Sequence, residues 1–366
     1  MFDRCARYWQ EMLDWLAMGQ RDRRPIYDGT VGSLIRCYET DRESPFHENR
    51  FSTQQLYRDW GKALTRLAGK RRVSALVGAD IRGWYRELRK PEKPDGQPRE
   101  RRASGAMEVF RVHVGYGAEL GLPDCVALAP ILNMMKFRKD RSESVAASPR
   151  AKKVAMTYEH AEAIVKKGLE LGTRRARAVA LGVAAQFEFT LRQIDVIGYW
   201  LPANRIAVEP GMMIFGKKAW RPGLRFEDFA TGVLDLSTTK NDTDAVFDVV
   251  EYPLFQLALA AVPEEERRGP LVSPVAGEPV RRRFYSEIYR EVADAAGVPA
   301  TVWNARARHG GVTEGKDAGA DIVDVSKHAQ HSDISTTVRH YVVPSIETSR
   351  RVAKARVAKR NRDRET

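Results

Sequence analysis

Cysteine is scarce in this 366-residue chain: Cys5, Cys37 and Cys125 are the only three, and none sits in a C-x-x-C pair. That argues against a disulfide framework and a cysteine-based zinc site, and it fits a reducing cytoplasm. No apolar run approaches the ~18 residues that a spanning helix needs, so no membrane partner is expected. The opening stretch, Met1 to Cys5 leading into Glu11 and Asp14, has neither a basic region nor a long apolar segment, so a secretory signal is not expected either. A nucleotide-cradling glycine fingerprint and an internal repeat are also missing. Acid is in deficit, with Asp+Glu 48 against Lys+Arg 61, a formal charge of +13. Such a surface presents a positive field, and phosphate is the first partner it suggests.

At roughly 150 residues per domain the length predicts two domains, each large enough for its own core. Residues 1–45 read as an arm in which Tyr8, Trp9 and Trp15 alternate with charged stretches until Pro25 breaks any helix. Residues 46–142 read as a helical domain: apolar residues recur at helical spacing over 52–67, 81–88 and 104–120, with a Pro- and Gly-containing loop over 91–98. The polar stretch from Lys136 to Lys153 reads as an exposed connector, with the linker proper at 143–155. In the second domain, 156–345, Thr157 reads as the N-cap of a helix through Leu171, and a mostly apolar segment, 176–189, as a buried helix. Two β-patterned runs, 232–240 and 245–250, flank Asn241-Asp242-Thr243-Asp244 as a strand, turn and strand. Helices at 254–261, 283–296 and 321–330 complete a mainly α chain with a small antiparallel sheet in its C-terminal domain.

One ordered constellation carries chemistry: Thr190-Leu191-Arg192-Gln193-Ile194-Asp195, then Thr238-Thr239-Lys240, then Arg308, then the run from His331-Ser332-Asp333-Ile334-Ser335-Thr336-Thr337 to Tyr341. Alone, Arg192 with Asp195 is an ordinary helical ion pair, Lys240 a solvated turn lysine and Arg308 part of a basic face. In this order they resemble the tyrosine recombinase (phage integrase) family. The resemblance is most specific over His331 to Tyr341, spans about 150–350, and extends more loosely to 46–140 as that family's core-binding domain. It implies a two-domain tyrosine-recombinase-like architecture around duplex DNA.

The chemistry of those residue types agrees. A phosphodiester under in-line attack gathers negative charge on its nonbridging oxygens, so fixed cations must surround it. Arg192 and Arg308 present guanidinium forks to those oxygens, Asp195 lies one turn on from Arg192, His331 adds a hydrogen bond, and Lys240 is placed to protonate the departing 5′ oxygen. A phenol with a reference pKa of about 10 attacks poorly unless cations stabilise its phenolate. The resemblance assigns that nucleophile to Tyr341 and implies a 3′-phosphotyrosine intermediate, re-joined without ATP, metal or other cofactor.

Two positions depart from the family pattern. The usual His-x-x-Arg has Ala305 in place of its histidine, with His309 and His340 as reserve bases and Trp303 as a packing residue. The tyrosine usually follows the last histidine by nine residues, a place held here by His340, so Tyr341 is one residue late; on a regular helix that turns a side chain by ~100°. Either Tyr341 attacks from an adjusted segment or the chain is a catalytically impaired DNA-binding regulator or a partner-dependent subunit. A relaxing topoisomerase of the same chemistry is a third alternative. Arg82, Arg86, Arg89, Lys90, Arg101 and Arg102 form a basic stretch expected on the DNA backbone, positioning the protein without reading sequence. The tail 346–366 is strongly basic, and the resemblance implies that it docks on a neighbouring protomer. Paired recombination sites in duplex DNA, held by a homo-tetramer that is a monomer or weak oligomer when free, with a directionality factor or second recombinase as accessory, are the partners so implied.

Overall fold

A computed structural model describes residues 26–93, 96–137, 154–206, 209–238 and 243–335, together with Thr337, Arg350, Lys354 and Val357. The chain divides into two compact units, Met1–Ala147 and Ser148–Thr366. Residues 138–153 lie outside the described residues.

The first unit contains α1 (Val31–Thr40), α2 (Phe51–Ala68), α3 (Gly78–Arg89), α4 (Glu100–Glu119) and α5 (Pro123–Met134). Each turns an apolar stripe inward: Leu34, Leu64, Ile81, Met107, Phe110 and Cys125 are all fully buried in one cluster. The expected arm is therefore too long. Thr30 caps α1 by accepting from the Ser33 amide, and Val31, Leu34 and Ile35 belong to the unit's core. The helix α5 was not expected, because two prolines, Pro123 and Pro130, interrupt its pattern; Pro123 occupies the first helical position, where no amide is needed. On α3, Arg82 and Arg86 are exposed opposite buried Ile81, Trp84, Tyr85 and Leu88, and Lys90 pairs with Glu87.

His113 on α4 is fully buried beside the Tyr38 ring, and among the described residues neither ring nitrogen has a hydrogen-bond partner. Burial pushes its pKa from 6.5 down to about 3. Below 6.5 the unfolded chain binds a proton that the folded unit refuses, so stability falls with pH by up to about 1.4 kcal/mol per unit, saturating near the folded value. Hydrogen exchange of the α4 amides is expected to accelerate as pH drops from 6.5 to 4.5, after correction for intrinsic exchange, and His113→Phe is expected to flatten that dependence.

In the second unit α6 (Tyr158–Leu171) and α7 (Arg174–Glu188) pack closely, each started by a threonine: Thr157 accepts from the His160 amide and Thr173 from the Ala176 amide. Nearly every residue of α7 from Ala176 to Phe187 is buried, as its mostly apolar composition requires. The hairpin β4 (Val233–Ser237) and β5 (Asp244–Asp248) pairs Leu234 with Phe247 across its buried face. Its turn, 239–242, lies outside the described residues.

A second sheet was not expected. Strands β1 (Tyr199–Pro202), β2 (Met213–Phe215) and β3 (Lys218–Arg221) form an antiparallel ribbon in the order β1-β3-β2. Three- and four-residue strands carry too little alternation to stand out from loops. The chain enters and leaves this ribbon through one pinch, where the Leu224 amide donates to the Val196 carbonyl at 3.1 Å. Gly198, at φ 68, and Gly223 face each other there so closely that a Cβ on either would collide with the other's backbone. Helices α9 (Pro253–Ala260), α10 (Arg282–Ala295), α11 (Ala307–Asp317) and α12 (Ile322–His328) complete the unit. Phe187, Phe189, Phe255 and Tyr285 sit in its core.

Candidate active site

The site grows out of the ends of three helices. Phe189 closes α7 inside an aromatic cluster with Phe229, Phe247, Tyr252 and Phe255. Thr190 then turns the chain with φ 48, a left-handed conformation costing a β-branched residue about 1–3 kcal/mol. Leu191 is buried, and Arg192 starts the short helix α8 (Gln193–Ile197). Buried Asp195 donates its amide to the Arg192 carbonyl at 2.9 Å.

Arg308 lies in the first turn of α11. Gly310 and Gly311 follow it, and a Cβ on either would strike the Met156 or the Phe187 carbonyl oxygen. Without those side chains α11 lies directly against the end of α7, which carries Arg308 to the 189–192 turn. Its Nη1 donates to the Thr190 carbonyl at 2.6 Å and to Gln330 Oε1 at 3.0 Å, and its Nη2 donates to the Ala329 carbonyl. Arg192 reaches the same residue, Nη2 donating to the Gln330 carbonyl at 3.4 Å. The two candidate arginines, 116 residues apart in sequence, thus meet at one residue.

That residue follows α12. Gln330 is fully buried and also has φ 48. His331 comes next, half-buried, with its amide on the Ser326 carbonyl at 3.0 Å and its Nδ1 2.7 Å from Thr337 Oγ1. Behind them His328 lies 3.0 Å from Thr190 Oγ1 through Nδ1 and 3.0 Å from the Tyr252 hydroxyl through Nε2. The Thr190 hydroxyl also lies 3.0 Å from the His328 carbonyl. One nitrogen of the neutral ring donates and the other accepts, so His328 bridges the Thr190 and Tyr252 hydroxyls. Burial, and then the Arg308 cation, hold the His328 pKa below its ordinary value, and burial pushes the Tyr252 hydroxyl up to about 12, so both stay neutral.

The structure thus brings together Arg192, Arg308 and the chain neighbour His331. Lys240, His340 and Tyr341 lie outside the described residues, as does the tail apart from Arg350, Lys354 and Val357. Trp303 is not a packing residue: it is 63% exposed, its indole donating to the Ala300 carbonyl at 3.1 Å. Buried Asn304 holds that bend instead, its side chain accepting from the Ala305 amide at 2.7 Å. Ala305 itself is exposed. The sequence gives no signal for His328, Gln330 and Tyr252 around the arginines, and it places Thr190 in the chemistry-bearing run without assigning it a role. Among the described residues no group of His, Cys, Asp or Glu is arranged to hold a metal ion, and no helix is long and apolar enough to cross a membrane.

No family model matches the chain, and no curated protein matches it in sequence. Solved structures do match it in fold. An integrase of the transposon Tn1549, in complex with circular intermediate DNA, is 14% identical with a TM-score of 0.53, covering 89% of this chain and 99% of that one. A lambda integrase dimer bound to a COC′ core site is 11% identical with a TM-score of 0.57, covering 85% of this chain and 77% of that one. A lambda integrase tetramer bound to a Holliday junction gives 11% identity and a TM-score of 0.56, with the same coverage.

Proposed function

We propose that this chain, which has the mainly helical tyrosine recombinase fold, is a site-specific DNA recombinase that cuts and rejoins duplex DNA. The observation that carries this reading is the meeting of Arg192 and Arg308 at Gln330, one residue before His331. Two guanidinium groups meeting one residue before a histidine suit a phosphodiester passing through a five-coordinate transition state. Fixed donors of this kind are each worth about 10²- to 10³-fold in rate.

In this mechanism the Tyr341 phenolic oxygen attacks the scissile phosphorus. The phenol gives its proton to solvent, the bond to the 5′ oxygen breaks, and Lys240 delivers a proton to that leaving group. The phosphate becomes a 3′-phosphotyrosine ester while the arginines and His331 hold its nonbridging oxygens. A 5′ hydroxyl from a second duplex then attacks the ester and gives its proton to Lys240, and the departing phenolate regains a proton from solvent, so the number of phosphodiester bonds is conserved and no ATP is consumed. Arg82, Arg86, Arg89, Lys90, Arg101 and Arg102 of the first unit contact the DNA backbone, and four protomers pair two sites, as in the lambda integrase tetramer on a Holliday junction.

Exposed Ala305, standing where the family pattern has a histidine, favours one rival: a recombinase-fold DNA-binding regulator. Strand transfer separates the two. Purified chain incubated with two labelled duplexes from DNA bordering its gene is expected to yield joined hybrid strands in EDTA and without ATP. Tight, specific binding with no hybrid strand at any site tested would favour the regulator.

A further inference from the structure

Among the described residues Thr190 and Gln330 are the two non-glycine positions with positive φ, both at 48°, and both touch Arg308. A turn that needs this conformation is most simply built with glycine. At Gln330 the chain instead carries a long amide that is fully buried, with Oε1 accepting from Arg308 at 3.0 Å and Nε2 donating to the His328 carbonyl and, at 3.5 Å, to the Phe189 carbonyl. The Gln330 carbonyl accepts from Arg192 at 3.4 Å. One residue therefore touches one candidate arginine with its side chain and the other with its main chain.

We propose that Gln330 is a positioning residue that sets the plane of the Arg308 guanidinium relative to Arg192, an inference that rests on the recombinase reading of this site. The amide suits the task for a chemical reason. Its oxygen orients a guanidinium while its nitrogen satisfies two carbonyls, and being neutral it leaves the cation's charge for a phosphate. A carboxylate would orient Arg308 equally well but would cancel that charge, take the Gln330 donor from the Phe189 carbonyl and leave the His328 carbonyl to Thr190 alone. Glycine would suit the backbone and hold nothing. The left-handed turn at Thr190 serves the same end, because it aims the Thr190 carbonyl at Arg308.

The test uses the full chain and three variants, Gln330→Gly, Gln330→Asn and Gln330→Glu. Asparagine tolerates the left-handed conformation but is one methylene too short, so it covers the case in which the glycine variant fails to fold. Single-turnover adduct formation on a nicked duplex is expected to slow by about 10- to 100-fold in Gln330→Gly and Gln330→Asn, with duplex affinity within about twofold, as for a misplaced rather than missing group. Gln330→Glu is expected to be at least as slow. In an Arg308→Ala background the same substitutions are expected to cause no further loss, since the residue acts through Arg308. An unchanged rate in both Gln330→Gly and Gln330→Asn, or an equal loss in the Arg308→Ala background, would overturn the proposal. Guanidinium NMR separates this from the recombinase reading. Restricted rotation of Arg308 is expected in the parent chain and free rotation in Gln330→Gly or Gln330→Asn, whether or not any adduct forms; retained restriction would sink the positioning role alone.

Discussion

Replacing Arg308 with alanine is expected to slow covalent adduct formation by about 10²- to 10³-fold while leaving duplex affinity nearly unchanged. Arg308 directs donors to the Thr190 carbonyl, the Ala329 carbonyl and Gln330 Oε1, so its plane is fixed before any substrate arrives. A preorganised cation of this kind acts mainly on charge that develops during reaction, and its loss shows in the rate rather than in ground-state binding. Lysine is a poor substitute despite its charge, because a flexible ammonium cannot reproduce a planar fork shared among three carbonyl oxygens. Arg308→Lys is therefore expected to recover only a minor part of the lost rate. Single-turnover rates on a nicked duplex, with binding measured in parallel, check both variants; a loss of affinity equal to the loss of rate would mean that Arg308 merely binds DNA.

Gly310→Ala is expected to lower the stability of the second unit by about 3 kcal/mol, equivalent to roughly 10 °C in its melting temperature. A Cβ at Gly310 meets the Met156 carbonyl oxygen and the Phe187 ring, and one at Gly311 meets the Phe187 carbonyl oxygen. Backbone oxygens cannot rotate away, so α11 must shift from α7 and take Arg308 with it. Gly315 on the same helix supplies the control. A Cβ there meets Val325 Cγ2 at an ordinary 3.7 Å, so Gly315→Ala is expected to be neutral or to stabilise by up to about 1 kcal/mol through helix propensity. Thermal unfolding of the three proteins checks the pair, and equal melting temperatures would contradict this packing.

Much of the scaffold was legible because its signals are local. Thr157 announces α6, a mostly apolar composition announces α7, and alternation on both sides of Asn241 announces β4 and β5. The helix α5 and the ribbon β1-β3-β2 were not legible, the first because its prolines break the pattern, the second because its strands are too short to show alternation. At the site, Arg192, Arg308 and His331 stood out through order and spacing. Gln330 and the role of Thr190 did not, since both occupy left-handed turns where sequence gives reason to expect glycine, and His328 and Tyr252 act through contacts between segments 76 residues apart. Trp303 was misread for a simpler reason: large aromatics are usually buried, and this one is held at the surface by a bend that Asn304 closes.

Whether this arginine pair serves a tyrosine nucleophile is decided by trapping the chain on a nicked duplex carrying its own site and mapping the covalent adduct by peptide mass spectrometry. A 3′-phosphoryl group on Tyr341, and none in Tyr341→Phe, is the expected result. Specific binding without an adduct on any duplex, or an adduct on a different residue, would rule out that role for Tyr341.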